Sequence, residues 1–185
     1  MRPLLEKFDE LEDLLLNYRA QLDQNTGVPF VRLVYEPEQE VECRRLTSSL
    51  ARTLDKKGVS VETISCRGVI FRYYEESGRL QQLFELESTE GERLDEYITK
   101  RAREELNKRL LRAVEGLGDD GVILLTDTSF VYPYLSLSSV LEDCTNRIMP
   151  PMALVVFYPG EIDIDGRLMF LGQRPSGYYR TRDLI

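Results

Sequence analysis

The chain has 185 residues, 42% hydrophobic and 30% charged, with 32 acidic against 24 basic side chains and a formal charge of −8. A density of Leu, Val, Ile and Tyr this high excludes disorder, and a chain of this length forms one compact domain that buries roughly 70% of its unfolded surface. The acidic balance argues against a general DNA-coating protein, and the lack of any His removes Ser-His-Asp, Cys-His and imidazole-zinc chemistry.

Leu4, Leu5, Phe8, Leu11, Leu15, Tyr18 and Leu22 recur at three- and four-residue steps, which predicts a leading amphipathic helix over about 3–22. Such a stripe serves either a partner or the domain's own core. Asn25-Thr26-Gly27 ends it, and Val28 to Tyr35 reads as a strand closed by Pro37. A helix from about Glu38 to Lys57, stopped by Gly58, and a strand from Val59 to Ile64 complete a strand-helix-strand unit.

Arg67 to Gly116 is expected to be helical, broken at Gly78, with Leu94, Ile98, Leu106, Leu110 and Val114 inward on the long helix after Gly91. Val122 to Thr126 is a continuous apolar run of the kind found in central strands. A helix over Leu137 to Arg147 and a buried strand over Met152 to Tyr158 follow, and Asp165-Gly166 predicts a two-residue hairpin before Leu168 to Leu171. The expected fold is therefore α/β: one domain over 1–185, a mostly parallel sheet sandwiched by helices, and a C-terminal antiparallel hairpin.

Several motifs lack the context their chemistry needs. Gly116-Leu-Gly118-Asp-Asp-Gly121 has the letters of a dinucleotide turn, but it follows a helix and precedes a strand, the reverse of the required order, and reads as a helix stop. No phosphate loop ending in Gly-Lys-Ser/Thr occurs. Glu161 to Gly166 resembles the start of a calcium loop, yet position twelve falls on Gly172 instead of an acid, so a solvated turn is expected. Cys43, Cys66 and Cys144 form no Cys-x-x-Cys pair, and widely spaced thiols suit a reducing cytoplasm. The acidic, periodic N-terminus is not expected to be a signal peptide, and no apolar run reaches the roughly 20 residues of a membrane span. No cofactor or metal site is expected. On the long helix, Lys100 to Arg112 is basic, but Glu104 and Glu105 stand four residues before Lys108 and Arg109. Local ion pairing on a wet face is expected there, and nucleic acid is not expected as a direct partner.

Strand ends carry the most informative pattern. Glu36, Asp127 and Glu161 each follow a predicted strand, and in a parallel sheet such ends share one edge, where ligands bind. Convergent acids would suit Mg²⁺ and a phosphodiesterase or nucleotide-binding activity; otherwise they cap loops beside a recognition surface. The candidate interaction surface is Tyr132, Pro133, Tyr134, Tyr158, Pro159, Gly160 and Glu161, with Arg174, Tyr178, Tyr179 and Arg180 of the tail. Tyr and Pro without His, Lys or Ser in a nucleophile setting point to binding, so no catalytic residue is assigned.

Val122-Ile-Leu-Leu-Thr126, Val131-Tyr-Pro-Tyr-Leu-Ser136, Leu154-Val-Val-Phe-Tyr-Pro-Gly-Glu161, Leu168-Met-Phe-Leu-Gly172 and Tyr178-Tyr-Arg180, in that order and spacing, resemble the BrxB family of bacteriophage-exclusion (BREX) defence systems. The N-terminal half agrees more loosely, through the leading helix and Val28-Pro-Phe30 opening a strand. Asp127 stands where the resemblance suggests a small residue, and Pro150-Pro151 is local to this chain. The resemblance implies a non-catalytic accessory or adaptor protein of a phage-defence complex, cytoplasmic, binding a larger component such as a PglZ-like protein of the alkaline-phosphatase superfamily.

Overall fold

Phe30-Val-Arg-Leu-Val-Tyr35 is buried at every position and forms β1 (Phe30–Tyr35), as a strand covered on both faces must. A computed structural model describes residues 2–79, 81, 91–176 and 180–185, with 91–94 by backbone alone, and among these residues there are five α-helices and seven strands. Helices α1 (Leu4–Asn17) and α2 (Glu40–Lys56) flank β1 in sequence. Strand β2 (Ser60–Ser65) leads into α3 (Cys66–Glu76), and α4 (Gly91–Leu117) precedes β3 (Gly121–Thr126). Helix α5 (Leu137–Cys144), β4 (Ala153–Ile162), β5 (Leu168–Phe170), β6 (Arg174–Pro175) and β7 (Arg182–Leu184) complete the chain. The α/β fold with a mostly parallel sheet and a C-terminal hairpin is the expected one; Tyr178, Tyr179 and the Leu94 side chain lie outside the described residues.

The sheet runs β2-β3-β4-β1-β7, parallel throughout, and β5 and β6 extend the far end of β4 as an antiparallel ribbon. From β1 the chain crosses to the β2 edge and then returns strand by strand. Right-handed crossovers therefore require α2 on one face and α3, α4 and α5 on the other. The two cores match: α1 and α2 cover Val31, Leu33, Val122, Leu124, Val155 and Phe157, and the other three helices cover Phe30, Val34, Ile123, Leu125, Leu154 and Val156. Alternate residues of β1, β3 and β4 thus feed opposite cores.

The helix expected over Leu137 to Arg147 ends at Cys144 and the strand expected from Val28 begins at Phe30, and three further differences from expectation have local reasons. Helix α1 stops at Asn17 instead of Leu22; a 3₁₀ turn over Arg19–Gln21 follows, with Arg19 held on the Asp120 carboxylate at 2.8 Å, and Leu22 still reaches the core. Strand β4 continues past Tyr158 to Ile162, because Gly160, Glu161 and Ile162 pair with β5. A Cβ at Gly160 would stand 2.5 Å from the Met169 carbonyl, so only glycine admits this approach. The hairpin has no two-residue turn at Asp165-Gly166. Its strands end at Ile162 and resume at Leu168, and the Asp163 carboxylate accepts from the Asp165 and Arg167 amides at 2.9 and 2.7 Å. That Asx turn uses up the acid on which a calcium-loop reading depended.

The basic stretch of α4 is paired half across elements and half along the helix, where local pairing was expected. Arg103 forks onto Asp143 of α5 at 2.9 Å through both nitrogens, and Arg109 pairs with Glu62 of β2. Only Arg101–Glu104 and Lys108–Glu105 are local, at i,i+3. These cations fix α4 to its neighbours.

Lys7 is a buried charge that the sequence did not single out. It lies on the core face of α1, is 1% exposed and donates from Nζ to the Val34 carbonyl at 2.7 Å. Burial, with help from Arg2, lowers its pKa below the ordinary 10.5. Between the folded and ordinary values the unfolded chain holds a proton that the folded chain has released, so stability rises with pH through that window and is level below it. Lys7→Met loses a hydrogen bond worth about 1 kcal/mol and escapes the desolvation cost. Urea unfolding is expected to place it within about 1 kcal/mol of wild type at pH 7, with wild type gaining on it as pH approaches 10.5. Parallel pH profiles for the two proteins would contradict this.

Candidate functional site

The C-terminal ends of β1, β2 and β3 do meet on one edge, joined by a chain of polar contacts. Tyr35, at the end of β1, donates to Glu40 at 2.5 Å, and Glu40 accepts from Arg44 Nε at 2.9 Å. Arg44 Nη2 reaches Asp127 Oδ1 at 2.8 Å, and the other Asp127 oxygen accepts from Ser65 at the end of β2. Ser65 in turn caps α3 by accepting the Gly68 amide at 2.9 Å. Asp127 is 9% exposed and adopts left-handed backbone (φ 53), a conformation that Asp tolerates better than most residues and that favours a functional or tightly determined position. Its neighbour Thr128 donates to the Phe157 carbonyl at 2.5 Å, tying this turn to β4. Arg44, Glu40 and Ser65 were not singled out from the sequence; each is an ordinary polar letter until the crossover brings it to Asp127.

The three strand-end acids are not gathered into one carboxylate cluster. Asp127 is taken by Arg44 and Ser65. Glu36 opens a 3₁₀ turn on the exposed side, its amide donating to Gln39 at 3.2 Å. Glu161 lies beyond the edge on the ribbon, its carboxylate against Gly172. Among the described residues no group of three or more Cys, Asp or Glu is placed to hold a metal ion. The cysteines are all buried: burial, followed by Glu40, pushes the Cys43 thiol up to about 12, burial and Asp143 push Cys144 up to about 11, and burial raises Cys66 as well. At neutral pH these thiols keep their protons.

Three of the predicted surface residues come together elsewhere, on the face covered by α5. A pocket of about 180 Å³ opens between α5, β4 and the ribbon, and Tyr132, Tyr158 and Arg174 all line it. Its floor is apolar: Leu135, Leu137, Leu141, Val156 and Phe170. Tyr158 is 5% exposed, its ring 4.8 Å from Phe170 and under the Arg32 guanidinium at 5.0 Å. Pro159 and Gly160 are buried too, so these three build the floor and frame instead of offering contact area. Tyr132 and Pro133 are exposed, whereas half-buried Tyr134 holds Thr99 through its carbonyl at 2.9 Å. Glu161, Arg174 and Arg180 are exposed.

Arg32 is a further buried charge that the sequence did not single out. It sits mid-strand in β1, 9% exposed, and forks onto Asp183 of β7 at 3.0 and 2.5 Å, with a third bond to Ser176 at 2.6 Å. A lone Arg inside an otherwise apolar strand is itself the signal for such a buried pair. A second, more open depression of about 570 Å³ adjoins the first, sharing Arg32, Pro175, Ser176 and Thr181, and adds Arg167 and Arg180 to the rim.

No described helix is long and apolar enough to cross a membrane. No curated protein and no solved structure matches the chain. A family model described as "BREX protein BrxB" matches residues 62–184, from β2 to β7, which include Ser65 and Asp127 of the strand-end network and every lining residue of the first pocket except Arg32.

Proposed function

We propose, since the chain belongs to the BrxB family of BREX phage-defence components, that it acts as a non-catalytic adaptor. In this reading it binds a larger protein of the complex, such as a PglZ-like component, in the cytoplasm. The observation that supports it is the pocket beside α5, with an apolar floor and exposed Tyr132, Arg174 and Arg180 around it. Aromatic and Arg side chains of this kind supply most of the energy of protein interfaces, typically on the order of 1–4 kcal/mol for each anchor truncated. Of the three strand-end acids, Asp127 is engaged with Arg44 and Ser65.

Co-expression of the tagged chain with the other proteins of its operon tests the proposal. Retention of a PglZ-like component through purification is the expected result. Capture of no operon protein at either low or high salt would overturn it, as would heat on calorimetric titration with Mg²⁺, Mn²⁺ or ATP that Asp127→Asn abolishes.

A further inference from the structure

Resting on that adaptor reading, we infer that the pocket between α5 and the C-terminal ribbon takes one large apolar side chain of an acidic peptide segment in the partner protein. Size selects the anchor. Small-molecule and cofactor sites occupy roughly 300–1,000 Å³, whereas this pocket of 180 Å³, lined by Leu135, Leu137, Leu141 and Phe170 and by the polar Arg32, Ser136, Ser138 and Ser176, has room for a single aromatic or aliphatic group with polar neighbours.

Charge selects what flanks it. The chain carries −8 overall, yet Arg174 edges this pocket, and Arg167 and Arg180 edge the adjoining depression. None of the three forms an ion pair among the described residues. Asp183 is the one described acid lining either depression, and Arg32 neutralises it at 2.5 Å. A local cationic rim repels basic segments and favours a segment rich in Asp and Glu. Because the two depressions share four residues, an extended segment with its anchor in the first passes its acids over Arg167 and Arg180 in the second.

A displayed library of random twelve-residue peptides, selected on the full chain, reads the preference directly. Enriched sequences are expected to hold one Phe, Leu, Met or Trp among Asp and Glu. A synthetic consensus peptide should lose at least tenfold in affinity when its anchor becomes Ala, when the chain carries Arg174→Glu, or when Ser138→Phe fills the pocket mouth. Raising salt from 50 to 500 mM should weaken it. Far-ultraviolet circular dichroism and the urea midpoint check that both variants fold, and Arg174→Glu changes only an exposed side chain.

Enrichment of basic or anchor-free peptides, no enrichment at all, or equal binding of a single-stranded oligonucleotide would overturn the inference. The operon co-purification separates the two readings. If Arg174→Glu still retains the PglZ-like component, the adaptor stands and this surface fails as its contact. If wild type retains nothing while the acidic peptide binds the pocket, the adaptor fails and the pocket chemistry stands.

Discussion

Replacing Asp183 with alanine is expected to cost about 3 kcal/mol of stability, the lower end of what removing one partner of a buried ion pair does. The carboxylate is itself part-exposed, at 28% of its side chain, but the guanidinium it holds is at 10%. Without Asp183, Arg32 keeps Ser176 and the face of Tyr158 and has no counter-charge in contact. For a domain of this size the melting temperature should fall by roughly 6–12 °C. Asp183→Asn, which retains one acceptor, should fall between. The double substitution Arg32→Met with Asp183→Leu should recover most of the loss, because two apolar side chains leave no stranded charge. Urea unfolding at constant m-value measures all four proteins. A loss below about 1 kcal/mol for Asp183→Ala would mean that water already screens Arg32.

Phe157→Ala is expected to cost about 3–5 kcal/mol. The ring is 1% exposed on the middle strand of the sheet and stacks on Phe8 of α1 at 5.6 Å with a 17° tilt. Truncation removes a large apolar side chain from contact with α1 and leaves a cavity that the surrounding strands cannot close. Phe157→Leu keeps most of the volume and should cost less than about 1.5 kcal/mol. A Phe8→Ala and Phe157→Ala double-mutant cycle should show coupling of about 0.5–1.5 kcal/mol. Equal midpoints for Phe157→Ala and Phe157→Leu would place the ring in a site that collapses freely.

The elements were legible because local signals and burial agree. The apolar runs at Phe30–Tyr35 and Gly121–Thr126 are buried strands, and Gly118, with φ +67, ends α4 where the Gly-x-Gly letters suggested a helix stop. What stayed hidden was set by distant partners. Arg32 and Asp183 are 151 positions apart, so neither residue's neighbours announce the pair. The Arg167 to Arg182 tail reads as a basic, aromatic stretch, and only docking on β1 and on Met169 and Phe170 turns parts of it into β7 and β6. Asp127 was legible as a strand-end acid, but its role depends on Arg44 from another crossover. The pocket was legible only as a list of Tyr and Arg residues; its shape comes from residues of α5, β4 and the ribbon that lie far apart in the chain.

The placement of β1 also dictates a schedule. This strand is made early, yet its hydrogen-bonding neighbours on either side, β4 and β7, lie at Ala153 and beyond. At a translation rate of about 5–20 residues per second, β1 waits on the order of ten seconds before either arrives. Throughout that interval its two bare edges and apolar faces are available to any other unpaired strand nearby. A nascent chain paused before β4 should therefore be the aggregation-prone species, and chaperone occupancy should peak there and drop once Leu184 has emerged from the ribosome.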